Sequence, residues 1–332
     1  MKAIVLAAGL GTRLGPITQW IPKPMVPVFG VPIIQHNLIQ LREQGIREII
    51  VNLHHMPVQI IQHLKDGNHF GVKVHYSLEP TIMGTAGGIK KVEAQLQDGT
   101  FVVVNADTYR VMDLKTVLRH HKRKKRVLTL LLQENPHLPP ERAVWVDKRG
   151  AVVRFLDLYQ KDGDQGTPAD FLGVQVAEPE LLSHIPPDQP WEIHRVYMRL
   201  LSSGSRVGGH LQLGYWKDLG SLDGYWQIHM DTLDGRCPLE IPGVSREPGV
   251  WLADGVMLGP GVRIEPPVYL GPASRVGQGA RIGPYAVLGG QCLIDRGARV
   301  FRSILWEGVR VQENAVVEGL LVSRDFHHPL PP

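Results

Sequence analysis

A six-residue period governs the last quarter of the chain and constrains its fold more than any other feature. From Leu252 onward an aliphatic residue recurs at every sixth position, and a small or apolar residue follows each one four places later. The register then slips by one residue, and the pattern continues at Leu305, Val311 and Val317. A short fixed period indicates stacked units that bury their inner faces on their neighbours. The aliphatic positions before the slip are Leu252, Leu258, Ile264, Leu270, Val276, Ile282, Leu288, Ile294 and Val300.

This period resembles the hexapeptide repeat of left-handed parallel β-helices, in which three hexapeptides form one triangular coil. The resemblance implies about three and a half to four coils over 251–323, followed by a tail at 324–332. Many hexapeptide proteins are acyltransferases that use a histidine as general base. The sequence has no histidine between His229 and His327. We therefore expect a structural or assembly role for this domain, and a homo-oligomer formed through it.

Upstream of the repeat, short apolar runs alternate with helical patterns. Apolar runs that lack polar alternation and are separated by helices are typical of a parallel sheet covered on both faces. We therefore predict an α/β domain over 1–233, with a doubly wound, mixed, mostly parallel sheet and ligands at the carboxyl ends of its strands. Proline and glycine are frequent over 234–250, which we interpret as a linker. Within the domain we predict strands over 2–7, 48–53, 72–76, 101–104 and 206–213, several more strands over 127–176, and helices over 32–44, 57–66, 85–96, 113–122, 191–203 and 221–233.

The chain opens with a buried-strand pattern that leads into a glycine loop. The apolar run Ala3–Ala8 is followed by the loop glycines Gly9, Gly11 and Gly15. Glycine lets backbone N–H groups approach an anion closely, and Arg13 and Lys23 add positive charge. A strand followed by such a loop is a phosphate-binding arrangement. Two common phosphate loops are excluded, because Leu14 stands where the P-loop and the dinucleotide-binding patterns both require glycine.

The segment from Leu6 to Val28 resembles the signature of sugar-phosphate nucleotidyltransferases, also called NDP-sugar pyrophosphorylases. That signature reads L-A-x-G-x-G-T-R-L-x-P-x-T and then, after a short gap, P-K-P-x-x-P-V. The resemblance implies a Rossmann-like nucleotidyltransferase that joins an NTP and a sugar 1-phosphate into an NDP-sugar, with release of pyrophosphate. It also implies catalytic roles for Arg13, which steadies the pyrophosphate, and for Lys23, which reaches the α-phosphate. The nucleotide-binding positions that it implies are Leu6, Ala7, Gly9, Gly11, Thr12, Arg13, Lys23, Glu79, Gly84 and Thr85.

Two aspartates match the metal-binding positions of this family. Asp107 ends an apolar run in a segment that reads Asn-Ala-Asp where the family has N-G-D. Asp218 lies in Trp216–Gly220, which matches the family's W-x-D-x-G pattern fully. The resemblance implies that both carboxylates are catalytic and hold Mg²⁺ or Mn²⁺. On the residues alone, either aspartate also fits a helix cap, Asp107 for the helix at 113–122 and Asp218 for the one beginning near 221.

The segment Glu79–Gly88 resembles the base-recognition segment of the family. A carboxylate accepts two hydrogen bonds, and guanine offers N1–H and N2–H together, whereas uracil and thymine offer one N–H. Glu79 therefore favours guanine, with UTP, dTTP or another NTP as alternatives because members that use other bases also carry this glutamate. Together with Val51–His55, the segment looks most like the mannose, heptose and muramic acid branches. We expect a mannose-1-phosphate guanylyltransferase-like enzyme that uses mannose 1-phosphate or a related sugar.

The sugar side departs from the family pattern. Ala143 stands where many members have a glycine, and Asp157 aligns with the family's E-K-P segment, whose lysine is missing here. Gly173 ends Phe-Leu-Gly in place of N-x-G. The polar residues that we expect to compensate for these departures are Glu192, Arg195 and Lys217. These departures keep a second hypothesis open, a non-catalytic paralogue that binds nucleotide or NDP-sugar and regulates a partner.

Composition excludes other classes of protein. The 332 residues are 43% hydrophobic and 20% charged with a formal net charge of +4, and no apolar run of about 18 residues predicts a membrane span. The first apolar run is too short for a signal peptide, so we expect the cytoplasm. Cys237 and Cys292 imply neither a disulfide framework nor a cysteine zinc site. The basic cluster His120–Arg126 fits a solvated helix end, because a nucleic-acid surface needs a wider basic face.

Overall fold

The computed structural model describes residues 1–161 and 166–331, which form two compact units. Unit 1 consists of Met1–Leu10, Pro22–Pro24 and Ile34–Trp216. Unit 2 consists of Gly11–Ile21, Met25–Ile33 and Lys217–Pro332. The chain therefore passes from one unit to the other within the glycine loop. The domain limits at 233, 250 and 323 stay predictions.

Strands and α-helices are numbered in chain order. The first strands are β1 (Lys2–Leu6), β2 (Pro27–Val28), β3 (Val31–Pro32), β4 (Glu48–Leu53), β5 (Lys73–Leu78), β6 (Phe101–Asn105), β7 (Thr108–Arg110), β8 (Leu128–Glu134), β9 (Val144–Val146), β10 (Val152–Phe155), β11 (Tyr159–Gln160), β12 (Thr167–Ala177), β13 (Val207–Leu211) and β14 (Trp216–Asp218). The helices are α1 (Ile33–Glu43), α2 (Pro57–Leu64), α3 (Gly84–Lys91), α4 (Glu93–Leu96), α5 (Leu114–Arg123), α6 (Glu180–Ser183), α7 (Ile193–Ser202) and α8 (Leu222–Leu233). The later strands are β15 (Val244–Glu247), β16 (Val250–Leu252), β17 (Met257–Leu258), β18 (Arg263–Ile264), β19 (Val268–Leu270), β20 (Arg275–Val276), β21 (Arg281–Ile282), β22 (Ala286–Leu288), β23 (Leu293–Ile294), β24 (Arg299–Phe301), β25 (Ser303–Leu305), β26 (Arg310–Val311), β27 (Val316–Glu318), β28 (Leu320–Val322) and β29 (His327–Pro329).

Unit 1 contains the predicted doubly wound mixed sheet. Its main order is β11-β10-β9-β12-β6-β1-β4-β5, and β8 pairs with β12 and β13. The pairs β6–β1, β1–β4 and β4–β5 are parallel, and helices connect these strands along the chain. Antiparallel pairing begins at β12, which lies against β6, β8 and β9. The strand-rich region predicted over 127–176 is this antiparallel part of the sheet.

Apolar side chains explain why the first strands are central. Ala3, Ile4 and Val5 are fully buried, as expected for a strand covered on both faces.

The helix predicted over 85–96 is divided at Val92, whose φ of −108° and ψ of 21° are not helical. Its N–H bonds to Ile89 O, which tightens the last turn of α3.

Register brings the carboxyl ends of the parallel strands together. Leu6 of β1 pairs with Asn52 of β4 and with Asn105 of β6. Leu53 pairs with Leu78 at the end of β5. In open α/β sheets, ligands bind outside this edge, so the loops that follow these strands are where the site is built.

Unit 2 contains the predicted left-handed parallel β-helix. Its short parallel strands stack into three faces, β16-β19-β22-β25-β28, β17-β20-β23-β26 and β18-β21-β24-β27. Val268 pairs with Ala286, 18 residues on, whereas Ala286 pairs with Ser303, 17 residues on. The register slip in the sequence is therefore one corner that is a residue shorter. The small residues of the repeat point inward, since Ala280, Ala286, Ala298 and Cys292 are fully buried.

The segments flanking the repeat also carry strands. Residues 244–247 of the predicted linker form β15, which pairs antiparallel with β16. In the tail, β29 pairs antiparallel with β28.

Both cysteines, Cys237 and Cys292, are buried free thiols. Among residues 1–161 and 166–331, no helix is long and apolar enough to cross a membrane.

The residues after the Pro-Lys-Pro segment pack within unit 2. Phe29 and Gly30 have φ of 49° and 79° and form the tight turn between β2 and β3. The Phe29 ring meets Tyr269 of the β-helix edge-on at 5.4 Å. Tyr225 of α8 donates from its hydroxyl to Pro27 O at 2.7 Å and accepts from Trp306 Nε1 at 2.9 Å. These contacts join the end of the signature to α8 and to the repeat.

Candidate active site

The first part of the glycine loop lies at the carboxyl edge of the unit 1 sheet. Leu6 ends β1 and accepts from Ala106 N at 3.2 Å. Ala7 donates its N–H to Asn52 Oδ1 at 2.8 Å. A Cβ added at Gly9 would meet no atom of residues 1–161 and 166–331 within 4 Å. Packing does not require glycine there, which agrees with a backbone kept bare for a ligand.

The rest of the loop belongs to unit 2 and turns tightly. Gly11 has a left-handed φ of 69° and accepts from Leu14 N at 3.0 Å. Thr12 begins a 3₁₀ segment, Thr12–Gln19, that is interrupted at Gly15. Arg13 projects from it with two thirds of its side chain exposed. An accessible guanidinium of this kind is suited to capture phosphate.

Lys23 and Asp107 form a largely buried ion pair in unit 1. Lys23 lies in a short 3₁₀ turn, Lys23–Met25, and its side chain is only 9% exposed. Its Nζ pairs with Asp107 Oδ2, and the Asp107 side chain is 26% exposed. Ala106 fits where the family has glycine, because its backbone is not left-handed and its carbonyl accepts from Asn37 Nδ2 at 3.1 Å. The structure therefore brings together two of the four predicted catalytic residues.

Arg13 and Asp218 form a second ion pair, within unit 2. Arg13 Nη2 lies 3.4 Å from Asp218 Oδ2. Asp218 Oδ1 accepts from Gly220 N at 2.7 Å. A Cβ at Gly220 would lie 2.6 Å from Arg13 Nη2 and 2.8 Å from Asp218 Oδ1. The glycine of the W-x-D-x-G pattern is therefore needed to let the pair form.

Neither aspartate caps a helix. The cap of α5 is Asp113, which accepts from Thr116 N at 3.1 Å. The cap of α8 is Ser221, which accepts from Gly224 N at 3.1 Å. The alternative structural interpretation of Asp107 and Asp218 is therefore wrong.

Arg110 adds a buried positive charge beside the turn that carries Asp107. Its side chain is fully buried, and Nη2 donates to Thr108 O at 2.7 Å. Burial lowers the pKa of Arg110 to about 10, an effect that the charge of Asp107 opposes. The guanidinium therefore stays charged at neutral pH and adds to the positive potential at this carboxylate.

Both carboxylate oxygens and the backbone O of Glu79 accept hydrogen bonds from the protein. The residue is 3% exposed. Its Oε1 accepts from Asn52 Nδ2 at 2.8 Å, and its Oε2 accepts from Met83 N at 3.0 Å. Its backbone O accepts from His54 Nδ1 at 2.7 Å. Both carboxylate oxygens that were predicted to meet guanine thus have protein donors.

The amino end of α3 presents two backbone donors. Ala86 N and Gly87 N donate to Trp191 O at 2.9 and 3.1 Å, and Trp191 N donates to Met83 O at 2.8 Å. Gly84 N and Thr85 N have no acceptor among residues 1–161 and 166–331. Unpaired N–H groups in the first turn of a helix favour anionic or carbonyl acceptors of a ligand.

The four predicted sugar-side residues differ in what they offer. Ala143 is fully buried and its N–H bonds to Pro140 O. Asp157 is exposed and pairs with Arg154 Nη2 at 2.8 Å. Gly173 has φ of 72°, and a Cβ there would lie 2.9 Å from Thr108 Oγ1.

Glu192, the fourth sugar-side candidate, lies beside the base segment. It precedes α7 without capping it, and its Oε1 would lie 2.7 Å from a Cβ at Gly84. Arg195 stacks on the ring of Trp191 at 4.9 Å. In unit 2, Lys217 Nζ pairs with Asp231 at 3.8 Å.

The two aspartates are suited to a hard divalent cation. The described residues contain no group of three or more histidine, cysteine or acidic side chains that could hold a metal ion. Mg²⁺, however, is usually bound by one or two carboxylates together with substrate phosphates and water. Asp107 Oδ1 accepts no hydrogen bond from the described residues, and the Asp218 side chain is 35% exposed. Each carboxylate therefore fits a magnesium ion that takes its other ligands from a nucleotide.

Sequence reasoning missed three residues of unit 1. They are Asn52, which bridges Ala7 and Glu79, Arg110, and Trp191, whose backbone holds the start of α3. The available signal for Asn52 was a polar residue at the end of an apolar strand, a position at which ligands gather.

Known proteins share both parts of this chain. A family model described as Nucleotidyl transferase matches residues 2–157, and one described as GMPPB C-terminal domain matches residues 264–327. The chain is 32% identical to a UTP–glucose-1-phosphate uridylyltransferase of Synechocystis over 76% of its length and 68% of that protein. It is 29% identical to a mannose-1-phosphate guanylyltransferase of Mycobacterium tuberculosis over 96% of its length and 83% of that protein. The structure of HddC from Yersinia pseudotuberculosis with GMP-PN matches 70% of this chain and 99% of that one, at a TM-score of 0.58 and 25% identity.

Proposed function

This chain belongs to the nucleotidyl transferase family and is a sugar-1-phosphate nucleotidyltransferase, and from that premise we propose that it joins GTP and mannose 1-phosphate into GDP-mannose. The extent of similarity supports this choice of substrates. The guanylyltransferase of M. tuberculosis is similar over 96% of the chain, whereas the uridylyltransferase of Synechocystis is similar over 76%. The repeat also matches the GMPPB C-terminal domain. UTP with glucose 1-phosphate is the second candidate, because that uridylyltransferase has the higher identity.

The proposed reaction needs charge neutralisation rather than a strong base. An anionic oxygen of the sugar 1-phosphate attacks the α-phosphorus of the NTP. The new phosphorus–oxygen bond forms as the bond to the β-phosphate breaks, and the electron pair leaves on pyrophosphate. No proton has to move, so catalysis depends on positioning two polyanions and stabilising the leaving group.

The roles of Arg13 and Lys23 follow from their exposure. The accessible guanidinium of Arg13 can follow the departing pyrophosphate, and its bidentate donors match phosphate oxygens. Lys23 is nearly buried and fixed by Asp107, so it provides a stationary positive charge for the α-phosphate. Lys23 also lies in a turn between two prolines, and because proline fixes its own backbone φ angle, this limits the movement of Lys23 further.

Mg²⁺ or Mn²⁺ is the proposed cofactor, with Asp107 and Asp218 as its ligands. When bound, the cation would neutralise charge on the triphosphate and so lower its repulsion toward the sugar phosphate. The ion pair with Lys23 orients the Asp107 carboxylate, and the bond from Gly220 N orients the Asp218 carboxylate, with Arg13 as a second, mobile partner. The cytoplasm is the proposed location, and a homo-oligomer through the β-helix is the proposed assembly.

Pyrophosphate release tests the proposed function. The purified chain with Mg²⁺ is given each NTP with each of several sugar 1-phosphates. We expect the highest kcat/KM for GTP with mannose 1-phosphate, and a loss of at least about a hundredfold in Asp107→Asn. Asp98→Asn is the matched control, because Asp98 is an exposed partner of Lys2. Undiminished turnover in Asp107→Asn contradicts the roles assigned here, and nucleotide binding without turnover for any pair favours a regulatory paralogue.

A further inference from the structure

Asn52 and Glu79 form a hydrogen-bond chain between two loops of the nucleotide-binding edge. Ala7 N donates to Asn52 Oδ1 at 2.8 Å, and Asn52 Nδ2 donates to Glu79 Oε1 at 2.8 Å. Met83 N donates to Glu79 Oε2 at 3.0 Å. The chain of bonds runs from the residue after β1 to the residue before α3, so one polar network fixes both loops.

Burial makes each of these bonds costly to lose. Asn52 is 2% exposed and Glu79 is 3% exposed. Buried amides and carboxylates destabilise a fold unless their polar atoms are paired. The backbone of Glu79 is held as well, with its N–H on Leu53 O at 2.7 Å and its O on His54 Nδ1 at 2.7 Å. The Glu79 carboxylate cannot turn toward a ligand without breaking these contacts.

Helix α3 packs directly on the pair. A Cβ at Gly88 would lie 2.6 Å from Asn52 Nδ2 and 2.7 Å from Glu79 Oε1. Real Cβ atoms do not approach other atoms so closely, so glycine is required for α3 to rest on the pair. Helix α3, whose Gly84 and Thr85 N–H groups have no acceptor in the described part of the chain, thus takes its position from the same two side chains.

We propose that Asn52 and Glu79 are positioning residues that brace the glycine loop against the amino end of α3, and that Glu79 does not contact the base. The proposal rests on the nucleotidyltransferase activity, and it holds whichever NTP is preferred. It assigns Glu79 an effect on the binding of every NTP alike, and it leaves base recognition to groups other than this carboxylate.

Reversing the polarity of the pair tests this directly. In Glu79→Gln the amide has one oxygen, so it cannot accept from both Asn52 Nδ2 and Met83 N, and any rotation leaves two donors facing each other. In Asn52→Asp two carboxylates face each other. In the double variant Asn52→Asp with Glu79→Gln, the carboxylate introduced at position 52 accepts from Ala7 N and from the new amide, whose oxygen accepts from Met83 N. Every bond of the brace is then restored, and the bond between the two side chains has its donor and acceptor exchanged.

We expect each single variant to raise KM for all four NTPs by about tenfold, with the ranking of the NTPs unchanged. We expect the double variant to return to within about threefold of the original KM, a strongly non-additive result. Asn68→Asp is the matched control, because Asn68 is exposed and both its backbone N–H and its Nδ2 donate to the nearby Asp66.

Other outcomes decide against the brace. A changed ranking of NTPs in Glu79→Gln that persists in the double variant would show that Glu79 reads the base. Unchanged KM in both single variants would also overturn the proposal. If a single variant fails to fold by circular dichroism, the double variant still decides, since a folded and active double variant supports the brace and an inactive one refutes it. A preference for UTP would refute the proposed substrate and leave this test intact.

Discussion

Replacing Lys23 with methionine removes one charge from the buried pair with Asp107 and nearly preserves the length and volume of the side chain. Lys23 is 9% exposed and Asp107 is 26% exposed. The carboxylate that remains is therefore partly cut off from water, with the buried Arg110 as another positive charge near it. Both stability and turnover should respond, and the two responses have separate causes.

The cost to stability follows from the charges. Two unit charges about 4 Å apart attract by about 4 kcal/mol at an effective dielectric constant near 20. Because Asp107 retains about a quarter of its exposure, water recovers part of this, and we expect Lys23→Met to lower the free energy of unfolding by about 2 kcal/mol. Losing a fixed positive charge at the α-phosphate should lower kcat by about 10²- to 10³-fold.

Urea unfolding and pyrophosphate release separate the two effects. The double variant Lys23→Met with Asp107→Asn removes the unpaired carboxylate, so it should recover most of the lost stability and none of the lost turnover. A Lys23→Met variant as stable and as active as the original chain would refute the reasoning about this pair. Loss of stability with full turnover would make Lys23 purely structural.

Three further predictions concern other parts of the chain. Gly220→Ala puts a Cβ 2.6 Å from Arg13 Nη2 and 2.8 Å from Asp218 Oδ1. The kcat/KM for pyrophosphate release should therefore fall about tenfold. The thermal midpoint should hardly change, because the end of the Arg13 side chain is flexible. Leu288→Ala in the fully buried β-helix core should cost about 2–5 kcal/mol of unfolding free energy by urea titration, and a cost below about 1 kcal/mol would contradict the packing. Burial and the nearby positive charges lower the pKa of His120 from 6.5 to about 4. Between these values the unfolded chain binds more protons than the folded chain, so stability should fall as pH drops from about 6.5 to about 4. His120→Gln should reduce that fall, measured as the melting temperature.

Local patterns in the sequence predicted much of the fold. The continuous apolar runs predicted β1, β4 and β6, because strands buried on both faces have no polar side to alternate. The six-residue period predicted the β-helix, and the slip after Val300 corresponds to its shortened corner. The division of the helix at Val92 was not predicted, because 85–96 shows no proline or terminal glycine there to end it.

The parts of the site that depend on long-range pairing could not be predicted. Asn52 matters because the register places it beside Leu6 and because β5 brings Glu79 next to it, and neither pairing is visible in a local segment. Arg110 was overlooked because charged residues are rarely fully buried. The motif at Trp216–Gly220 was visible in the sequence, yet the reason for its glycine is the room that Arg13 needs beside Asp218.

A one-pot competition measures the substrate choice most directly. The chain is incubated with Mg²⁺, equal amounts of the four common NTPs, isotope-labelled mannose 1-phosphate and unlabelled glucose 1-phosphate, and the NDP-sugars are separated and identified by mass spectrometry. We expect labelled GDP-mannose as the main product, formed with an equal amount of pyrophosphate. A main product of UDP-glucose, or no NDP-sugar at all, would contradict the proposed function.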